Sequence, residues 1–168
     1  MTTSRPDFNF LLAHPAHFIA FGFGSGLAPK APGTVGTLVG LPLFWLVIAA
    51  APDLPNRMVL LVAAFLLGVW ACARTGRALG VADHGGMVWD EIVAFALVLL
   101  FVPALPFTAA GWLWTAVAFA LFRLFDILKP WPIQLADARL KNGFGVMFDD
   151  LLAALYAIVA IKGLQWLV

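Results

Sequence analysis

Three long stretches without a single Asp, Glu, Lys or Arg residue most constrain how this chain can fold. The longest runs from Ile92 to Phe122, 31 residues, and the others run from Ala31 to Pro52 and from Met58 to Ala73. A bilayer core about 30 Å thick is crossed by about 20 helical residues. The charge-free stretches are therefore long enough to form membrane-embedded helices.

The composition agrees with a membrane protein and excludes several other classes. Hydrophobic residues make up 63% of the chain and charged residues 11%, whereas an ordinary soluble domain carries about 25% charge. A net charge of only +1 argues against nucleic-acid binding through a basic surface. The single cysteine, Cys72, excludes internal disulfides. We expect one membrane-embedded domain over residues 1–168.

The pattern predicts an all-α, polytopic bundle with about five membrane-embedded helices. The longest stretch exceeds one span and is interrupted by Pro103, Pro106 and Gly111, so it divides into two antiparallel helices. The apolar stretch from Phe8 to Phe23 contains polar residues and predicts a short interfacial helix instead of a signal peptide. The five predicted helices cover about residues 33–52, 56–79, 88–103, 109–128 and 149–167.

Basic residues are distributed unevenly between the two sides of this bundle. Eight of the ten fall on one side, namely Arg5, Lys30, Arg74, Arg77, Arg123, Lys129, Arg139 and Lys141. Because cytoplasmic loops are enriched in Lys and Arg, we expect this side to face the cytoplasm. Eight of the nine acidic residues fall on the same side, and only Asp53 lies on the other.

Asp90 and Glu91 begin the third predicted helix, shortly after Asp83 and His84. Neighbours on a helix point about 100° apart, so one carboxylate would bind a metal while the other orients it or holds a bridging water. The alternative is an acidic first turn that complements the helix dipole. Asp83 and His84 are candidates for positioning or proton transfer.

Arg123, Asp126 and Lys129 follow one another at intervals of three residues near the end of the fourth predicted helix. Residues three apart share a helix face, and Pro130 is expected to end the helix. Arg and Lys in such a column suit a phosphate group. The alternative is a self-neutralising column of ion pairs.

Two adjacent carboxylates, Asp149 and Asp150, open the last predicted helix. Such a pair is costly in a membrane unless it is solvated, paired or bound to a metal. Oxygen ligands favour a hard ion such as Mg²⁺ or Mn²⁺ over zinc, so the pattern indicates metal-assisted chemistry on a phosphate group. The predicted metal ligands are Asp90, Glu91, Asp126, Asp149 and Asp150.

The glycine-rich segment from Gly22 to Thr37 reads G-F-G-S-G-L-A-P-K-A-P-G-T-V-G-T. Its glycines let the backbone approach an anion, and Thr34 is predicted to cap the following helix, whose N-terminus favours phosphate. The alternative is a turn between the interfacial and spanning helices. The candidate substrate-binding residues are Ser25, Lys30, Thr34, Arg123 and Lys129.

Four segments, taken in order, resemble the phosphatidylglycerophosphatase A family. They are the glycine-rich segment, V-W-D-E-I, F-R-L-F-D-I-L-K-P-W-P-I and the late D-D pair, and they extend from Gly22 to about Tyr156. The resemblance implies Mg²⁺-dependent hydrolysis of phosphatidylglycerophosphate to phosphatidylglycerol and inorganic phosphate at the bacterial inner membrane. Ala94 and Ala154 stand where the family often has glycine, which affects packing more than chemistry.

Two other functions remain open at this point, a small transporter or channel subunit with an acidic vestibule and a non-catalytic assembly factor. Transporters usually place polar groups or broken helices near the bilayer midplane, whereas the centres of the predicted helices are apolar. This pattern favours chemistry on a lipid at the membrane surface. An assembly factor would leave the ordered motifs unexplained.

Overall fold

The computed structural model describes residues 6–105 and 108–167, and within these ranges the chain forms helices and turns but no strand. The predicted all-α membrane bundle is confirmed. Arg5 and Pro106, which entered the sequence analysis, lie outside the described residues. The elements are α1 (Phe8–Leu12), α2 (Pro15–Ala20), a 3-10 segment (Gly22–Leu27), α3 (Pro32–Ala50), α4 (Leu54–Leu79), α5 (Trp89–Leu99), α6 (Gly111–Leu128), α7 (Ile133–Arg139) and α8 (Gly143–Leu167).

Within the described residues, four helices are long and apolar enough to cross a membrane, namely α3, α4, α6 and α8. The count differs from the predicted five because the third predicted helix, residues 88–103, is shorter in the structure. There α5 has 11 residues and rises only about 16 Å. The chain leaves the helix at Leu100, three residues before Pro103.

The short helix α5 lies at the centre of the bundle, packed between α3 and α8. Ten of its eleven residues are buried, and a helix that is apolar on all sides belongs in a protein interior. Beyond its end, the Phe101 carbonyl accepts a hydrogen bond from Gln165 Nε2 on α8 at 3.3 Å. Asp90, at the start of α5, is therefore buried inside the bundle.

The predicted catalytic and metal-binding residues gather at one end of the bundle, which we call the site end. It contains the N-terminal turn of α5 and the C-terminal turn of α6, joined by the ion pair between Glu91 and Arg123. The opposite end, where α3 ends at Ala50 and α4 begins at Leu54, is called the far end. Two apolar clusters of buried side chains, one toward each end, pack along α5.

The N-terminal residues Phe8–Leu27, called the N-terminal cap, cover part of the site end. Where the sequence predicted one short helix, the structure has two, α1 and α2, followed by the 3-10 segment. His17 Nδ1 lies 3.0 Å from Thr75 Oγ1 on α4. The Ala20 carbonyl accepts a hydrogen bond from the Val88 N–H at 2.8 Å. These two contacts attach the cap to α4 and to the start of α5.

Candidate active site

Arg123 connects three helices through what we call the Arg123 cluster. Its Nη1 atom lies 2.8 Å from Glu91 Oε1 on α5 and 2.7 Å from Asp126 Oδ2 on its own helix. The same nitrogen lies 3.4 Å from Thr37 Oγ1 on α3. Arg123 and Asp126 share a face of α6, as their spacing predicts. One guanidinium therefore holds two carboxylates from separate parts of the chain.

Glu91 can approach α3 closely because glycine occupies two positions on the facing side of that helix. A Cβ atom at Gly33 would lie 2.1 Å from Glu91 Oε1, and one at Gly36 would lie 2.5 Å from Val88 Cβ. The Thr37 hydroxyl donates to the Gly33 carbonyl at 2.8 Å, which directs it toward the same region. The glycine-rich segment thus contributes to the site through close helix packing.

Lys129 organises a second group of charges, the Lys129 cluster. Its Nζ atom lies 2.5 Å from Asp149 Oδ2 and 3.3 Å from Asp137 Oδ1, and Asp137 is shared with Lys141 at 3.5 Å. Lys129 is the C-cap of α6, with a left-handed φ of 42°, so the predicted helix end before Pro130 is confirmed. This turn aims the ammonium group toward α8.

Lys129 keeps its positive charge despite its partial burial. Burial lowers the pKa of the ammonium group, but the hydrogen bond to Asp149 and the charges of Asp149 and Asp137 outweigh it. The pKa of Lys129 is consequently raised above its ordinary value. At neutral pH Lys129 acts as a fixed cation and not as a proton donor.

Asp90 and Asp150 are the sequence neighbours of Glu91 and Asp149 in these two clusters and are buried, with 8% and 3% of their surface exposed. Asp90 Oδ1 accepts a hydrogen bond from the Glu91 N–H at 2.9 Å. The charge of Asp150 interacts with the charges of the other four predicted metal ligands, Asp90, Asp126, Glu91 and Asp149. The structure therefore brings all five acidic residues together at the site end.

The donor chemistry of this group fits a hard divalent cation. Three of the five carboxylates form ion pairs with two cations, Glu91 and Asp126 with Arg123 and Asp149 with Lys129. Glu91 Oε2 and Asp150 Oδ2 are buried and have no hydrogen-bond partner among the described residues, an arrangement that is costly without a cation. In residues 6–105 and 108–167 no three His, Cys, Asp or Glu side chains already form a metal-binding group. The carboxylates would therefore have to turn to complete a coordination shell.

Asp83 and His84, predicted for positioning or proton transfer, lie in the loop before α5 and face different neighbours. Asp83 is exposed, and its charge interacts most strongly with that of Lys129. His84 Nδ1 accepts a hydrogen bond from the Gly86 N–H at 3.0 Å, and its ring lies 5.7 Å from that of Phe21 in the N-terminal cap. The loop thus places Asp83 toward the site and His84 toward the cap.

Three predicted substrate-binding residues come from the glycine-rich segment. The Ser25 hydroxyl donates to the Gly22 carbonyl at 2.8 Å. Lys30 is exposed, and no described acidic residue forms an ion pair with it. The prediction that Thr34 caps α3 is wrong, because the N-cap is Ala31 and the helix begins at Pro32. Thr34 lies inside the first helical turn.

Sequence reasoning missed two residues of these clusters, Thr37 and Asp137. Thr37 stands four residues after Gly33 and so shares its helix face, and Asp137 stands four residues before Lys141. These spacings indicate local pairs. They contain no information about the contact of Thr37 with Arg123 or of Asp137 with Lys129. In each of these contacts the two partners belong to different helices.

Comparison with known proteins identifies the family to which the sequence is similar. A family model described as Phosphatidylglycerophosphatase A matches residues 18–165. Phosphatidylglycerophosphatase A of Haemophilus influenzae is 43% identical over 166 residues, covering 99% of this chain and 98% of the relative. The chain belongs to the phosphatidylglycerophosphatase A family.

Two further relatives of this phosphatidylglycerophosphatase A family member differ in name. Phosphatidylglycerophosphatase A of Escherichia coli is 36% identical over 157 residues, covering 92% of this chain and 87% of the relative. A Bacteroides thetaiotaomicron protein provisionally named a phosphatidylinositol-3-phosphatase is 38% identical over 157 residues, covering 89% of this chain and 93% of the relative. No solved structure significantly matches the chain.

The four segments on which the family resemblance rests meet in the structure. Gly33 of the glycine-rich segment abuts Glu91 of V-W-D-E-I. Arg123, from the third segment, pairs with Glu91, and Lys129 from the same segment pairs with Asp149 of the D-D pair. The resemblance is confirmed, and the four segments that carry it lie together in this chain.

Proposed function

We propose that this protein hydrolyses phosphatidylglycerophosphate to phosphatidylglycerol and inorganic phosphate. The observation that carries the proposal is the meeting of Arg123 and Lys129 with five carboxylates at one end of an apolar bundle. Membership of the family, together with the names of the Haemophilus influenzae and Escherichia coli relatives, supports this substrate. Its acyl chains would stay in the bilayer while the terminal phosphate enters the site.

Arg123 and Lys129 are proposed to bind the phosphate oxygens. Arg123 uses Nη1 for both of its ion pairs, and its buried Nε atom has no acceptor among the described residues. A guanidinium offers five N–H donors in a fixed plane, so several remain for a phosphate group. Lys129 adds a fixed positive charge. Together they offset the negative charge that is redistributed during phosphoryl transfer.

Asp90, Glu91, Asp126, Asp149 and Asp150 are the residues proposed to hold Mg²⁺. A bound Mg²⁺ would supply Lewis-acid polarisation of the phosphoryl group and a more acidic water. Glu91 and Asp150 are the first candidates as ligands because each has a buried oxygen without a described partner. In the hydrolysis, a water oxygen forms the new bond to phosphorus while the bond to the lipid oxygen breaks. The leaving lipid oxygen takes up a proton.

We further propose that the site end faces the cytoplasm at the inner membrane of a bacterium. Lys30, Arg74 and Arg77 extend the positive charge near this end, whereas Arg57 lies near the far end, with its Nε donating to the Ala51 carbonyl. The positive-inside rule then assigns the site end to the cytoplasm. The substrate would therefore be taken from the cytoplasmic leaflet.

The deciding experiment measures phosphate release by the purified protein in liposomes that contain phosphatidylglycerophosphate. We expect release with Mg²⁺, its loss after excess EDTA and its recovery when Mg²⁺ is restored. Parallel liposomes with phosphatidylinositol 3-phosphate or phosphatidic acid test the headgroup. Absence of phosphate release from phosphatidylglycerophosphate in folded protein would overturn the proposal, and release from one of the other two lipids alone would identify a different headgroup.

The transporter alternative has one observation in its favour, since the short helix α5 resembles the broken helices of transporters. The same liposomes, loaded with an ion-sensitive dye, distinguish the two functions. Phosphate release without an ion flux supports the phosphatase. An Mg²⁺ or proton flux without phosphate release would favour the transporter.

A further inference from the structure

An apolar cavity lies next to the acidic residues, between α4, α5 and α8. Its volume is about 340 Å³, and ten of its eleven lining residues are apolar. The remaining one is Asp90, a member of the acidic group. Along α5 the lining extends from Asp90 to Leu97, a rise of about 10 Å. The cavity is therefore a slot with apolar walls that ends beside Asp90 on the site-end side.

A close contact between helices ends the slot next to Asp90. A Cβ atom at Gly68 of α4 would lie 2.4 Å from Met147 Sδ on α8 and 2.5 Å from Trp89 Cδ1 on α5. The Trp89 Nε1 donates to the Ala64 carbonyl on α4 at 2.9 Å, which fixes the indole in this contact. The slot begins on the far-end side of this contact, where Asp90 is the lining residue of α5 nearest the site end.

The slot is open toward the side of the bundle. Val62 and Leu66 line it from α4, yet 53% and 60% of their surface is exposed. Because α4 is long and apolar enough to span a membrane, its exposed side chains would contact lipid tails. A hydrocarbon chain could enter the slot from the bilayer without crossing water.

We propose that this cavity, the acyl slot, binds one acyl chain of the lipid substrate and thereby contributes to chain-length specificity. The inference rests on the proposed function, because the substrate is taken to be a lipid phosphate. An occupant must match apolar walls and also bring its headgroup to the site end, where the slot stops at Asp90, the sequence neighbour of Glu91 in the Arg123 cluster. A phospholipid meets both requirements. A helix of a second chain, about 10 Å wide with its side chains, does not fit a slot of this size.

Two pairs of substitutions on α4 test the acyl slot, each with a matched control. Val62→Trp and Leu66→Trp place an indole at the mouth of the slot. Val59→Trp and Leu67→Trp make the same change at exposed positions that do not line it. All four positions are exposed, so the added bulk does not have to fit into the core.

The first measurement compares kcat/KM for phosphatidylglycerophosphate with two oleoyl chains and with two hexanoyl chains. We expect Val62→Trp and Leu66→Trp to lower the value for the long-chain substrate by about tenfold or more and the short-chain value by less than about twofold. The two control variants should leave both values within about twofold of the wild type. Equal losses on both substrates, or equal effects in slot and control variants, would overturn the acyl slot.

The second measurement does not depend on catalysis. A phosphatidylglycerol with a diazirine on one acyl chain is photocrosslinked to the wild-type protein, and the labelled peptides are mapped. We expect labels within residues 58–66 and on α8 near Leu151, with a selective loss in Val62→Trp but not in Val59→Trp. Labels spread evenly over the exposed faces of α3 and α6 would contradict the slot. Slot labelling in a protein that hydrolyses no lipid would instead contradict only the proposed function.

Discussion

At the scale of single residues, Arg123 and Lys129 determine how the carboxylates are arranged. Arg123 holds Glu91 and Asp126 through one nitrogen, and Lys129 holds Asp149. Both cations reach across to a different helix, so each neutralises charge that its own helix could not balance. Of the ion-pair column that the spacing suggested, only the pair between Arg123 and Asp126 forms, because Lys129 pairs with Asp149 and Asp137 instead.

Asp126→Asn is expected to lower phosphate release by about 100-fold or more, because it removes a charge from a preorganised polar site. Phosphate release from phosphatidylglycerophosphate liposomes measures the effect at equal amounts of folded protein. Asp53→Asn is the matched control, since Asp53 lies at the far end and caps α4 through the Asn56 N–H, a role that Asn also fills. Turnover near the wild-type level in Asp126→Asn would remove Asp126 from the proposed mechanism.

At the scale of elements, the approach of α5 to α3 decides where Glu91 lies. Gly33 and Gly36 permit this approach, while Gly163 near the end of α8 has no heavy atom within 4 Å of the position where a Cβ would be. Glycine in α3 therefore has a packing role, although it lowers intrinsic helix propensity. An added methyl group at Gly33 would meet the Glu91 carboxylate, whereas one at Gly36 would meet Val88.

Gly36→Ala is expected to destabilise the protein by about 1–3 kcal/mol and to reduce phosphate release, because the methyl group would force α3 away from Val88. Gly33→Ala should reduce phosphate release with a smaller loss of stability, since the flexible Glu91 side chain can move. Thermal unfolding in detergent and the liposome assay give the two quantities. Gly163→Ala is the control and should leave phosphate release unchanged and stability the same or up to about 1 kcal/mol higher, because alanine has the greater helix propensity. Equal behaviour of Gly36→Ala and Gly163→Ala would refute the packing role.

The attachment of α2 to α4 is expected to weaken in acid. Burial lowers the pKa of His17, with further lowering by the charges of His14 and Arg74. The lowered pKa favours neutral His17 in the folded cap. The contribution of His17 to the stability of the cap is therefore complete above the unfolded pKa of about 6.5, and it is lost as the pH falls from that value through the lower folded pKa. Hydrogen exchange of the α2 amides between about pH 7.5 and 5.5 measures this change.

His17→Asn is the control for that experiment, because it retains a polar partner for Thr75 but cannot titrate. In His17→Asn, the protection factors of the α2 amides, which already correct for the intrinsic exchange rate, should be the same at both pH values. If the wild-type protein shows no additional acid sensitivity, His17 is not the group that couples the cap to pH.

At the scale of the whole molecule, α4 and the N-terminal cap extend past the five acidic residues on the site-end side. From Gly68 to Leu79, α4 continues for 11 residues, about 16 Å, beyond the contact next to Asp90. The N-terminal cap packs on this extension and on the start of α5. The bundle therefore separates its charges from the surrounding lipid while leaving the acyl slot open to the side.

The orientation of the bundle is tested with single cysteines in a Cys72→Ser background. Gly85→Cys lies at the site end and Asn56→Cys at the far end, both at exposed positions. An impermeant maleimide should label Asn56→Cys in intact cells and Gly85→Cys only after the inner membrane is opened, because the basic residues favour a cytoplasmic site end. The opposite labelling pattern would reverse the proposed orientation.

Several features were predictable because they depend on local sequence. Charge-free stretches predict α3, α4 and α6, and Pro130 predicts the end of α6. The last helix was predicted to start at residue 149, but α8 begins at Gly143, so Asp149 and Asp150 lie inside the helix and do not open it. Spacing also predicts that Arg123 and Asp126 share a face. The length of α5 was overestimated, because apolar character continues to Val102 although the helix ends at Leu99. Apolar composition alone does not distinguish a spanning helix from a buried short one.

By itself the sequence determined the membrane environment, the all-helical class and the presence of acidic and basic residues on one side, since these follow from hydrophobic length and helical period. Only the tertiary structure decided that Arg123 bridges Glu91 to Asp126, that Lys129 joins Asp149 to Asp137, and that a slot opens beside Asp90. The physical reason is that such contacts depend on the distance and rotation between helices. Those quantities are set by packing at positions such as Gly33, Gly36 and Gly68.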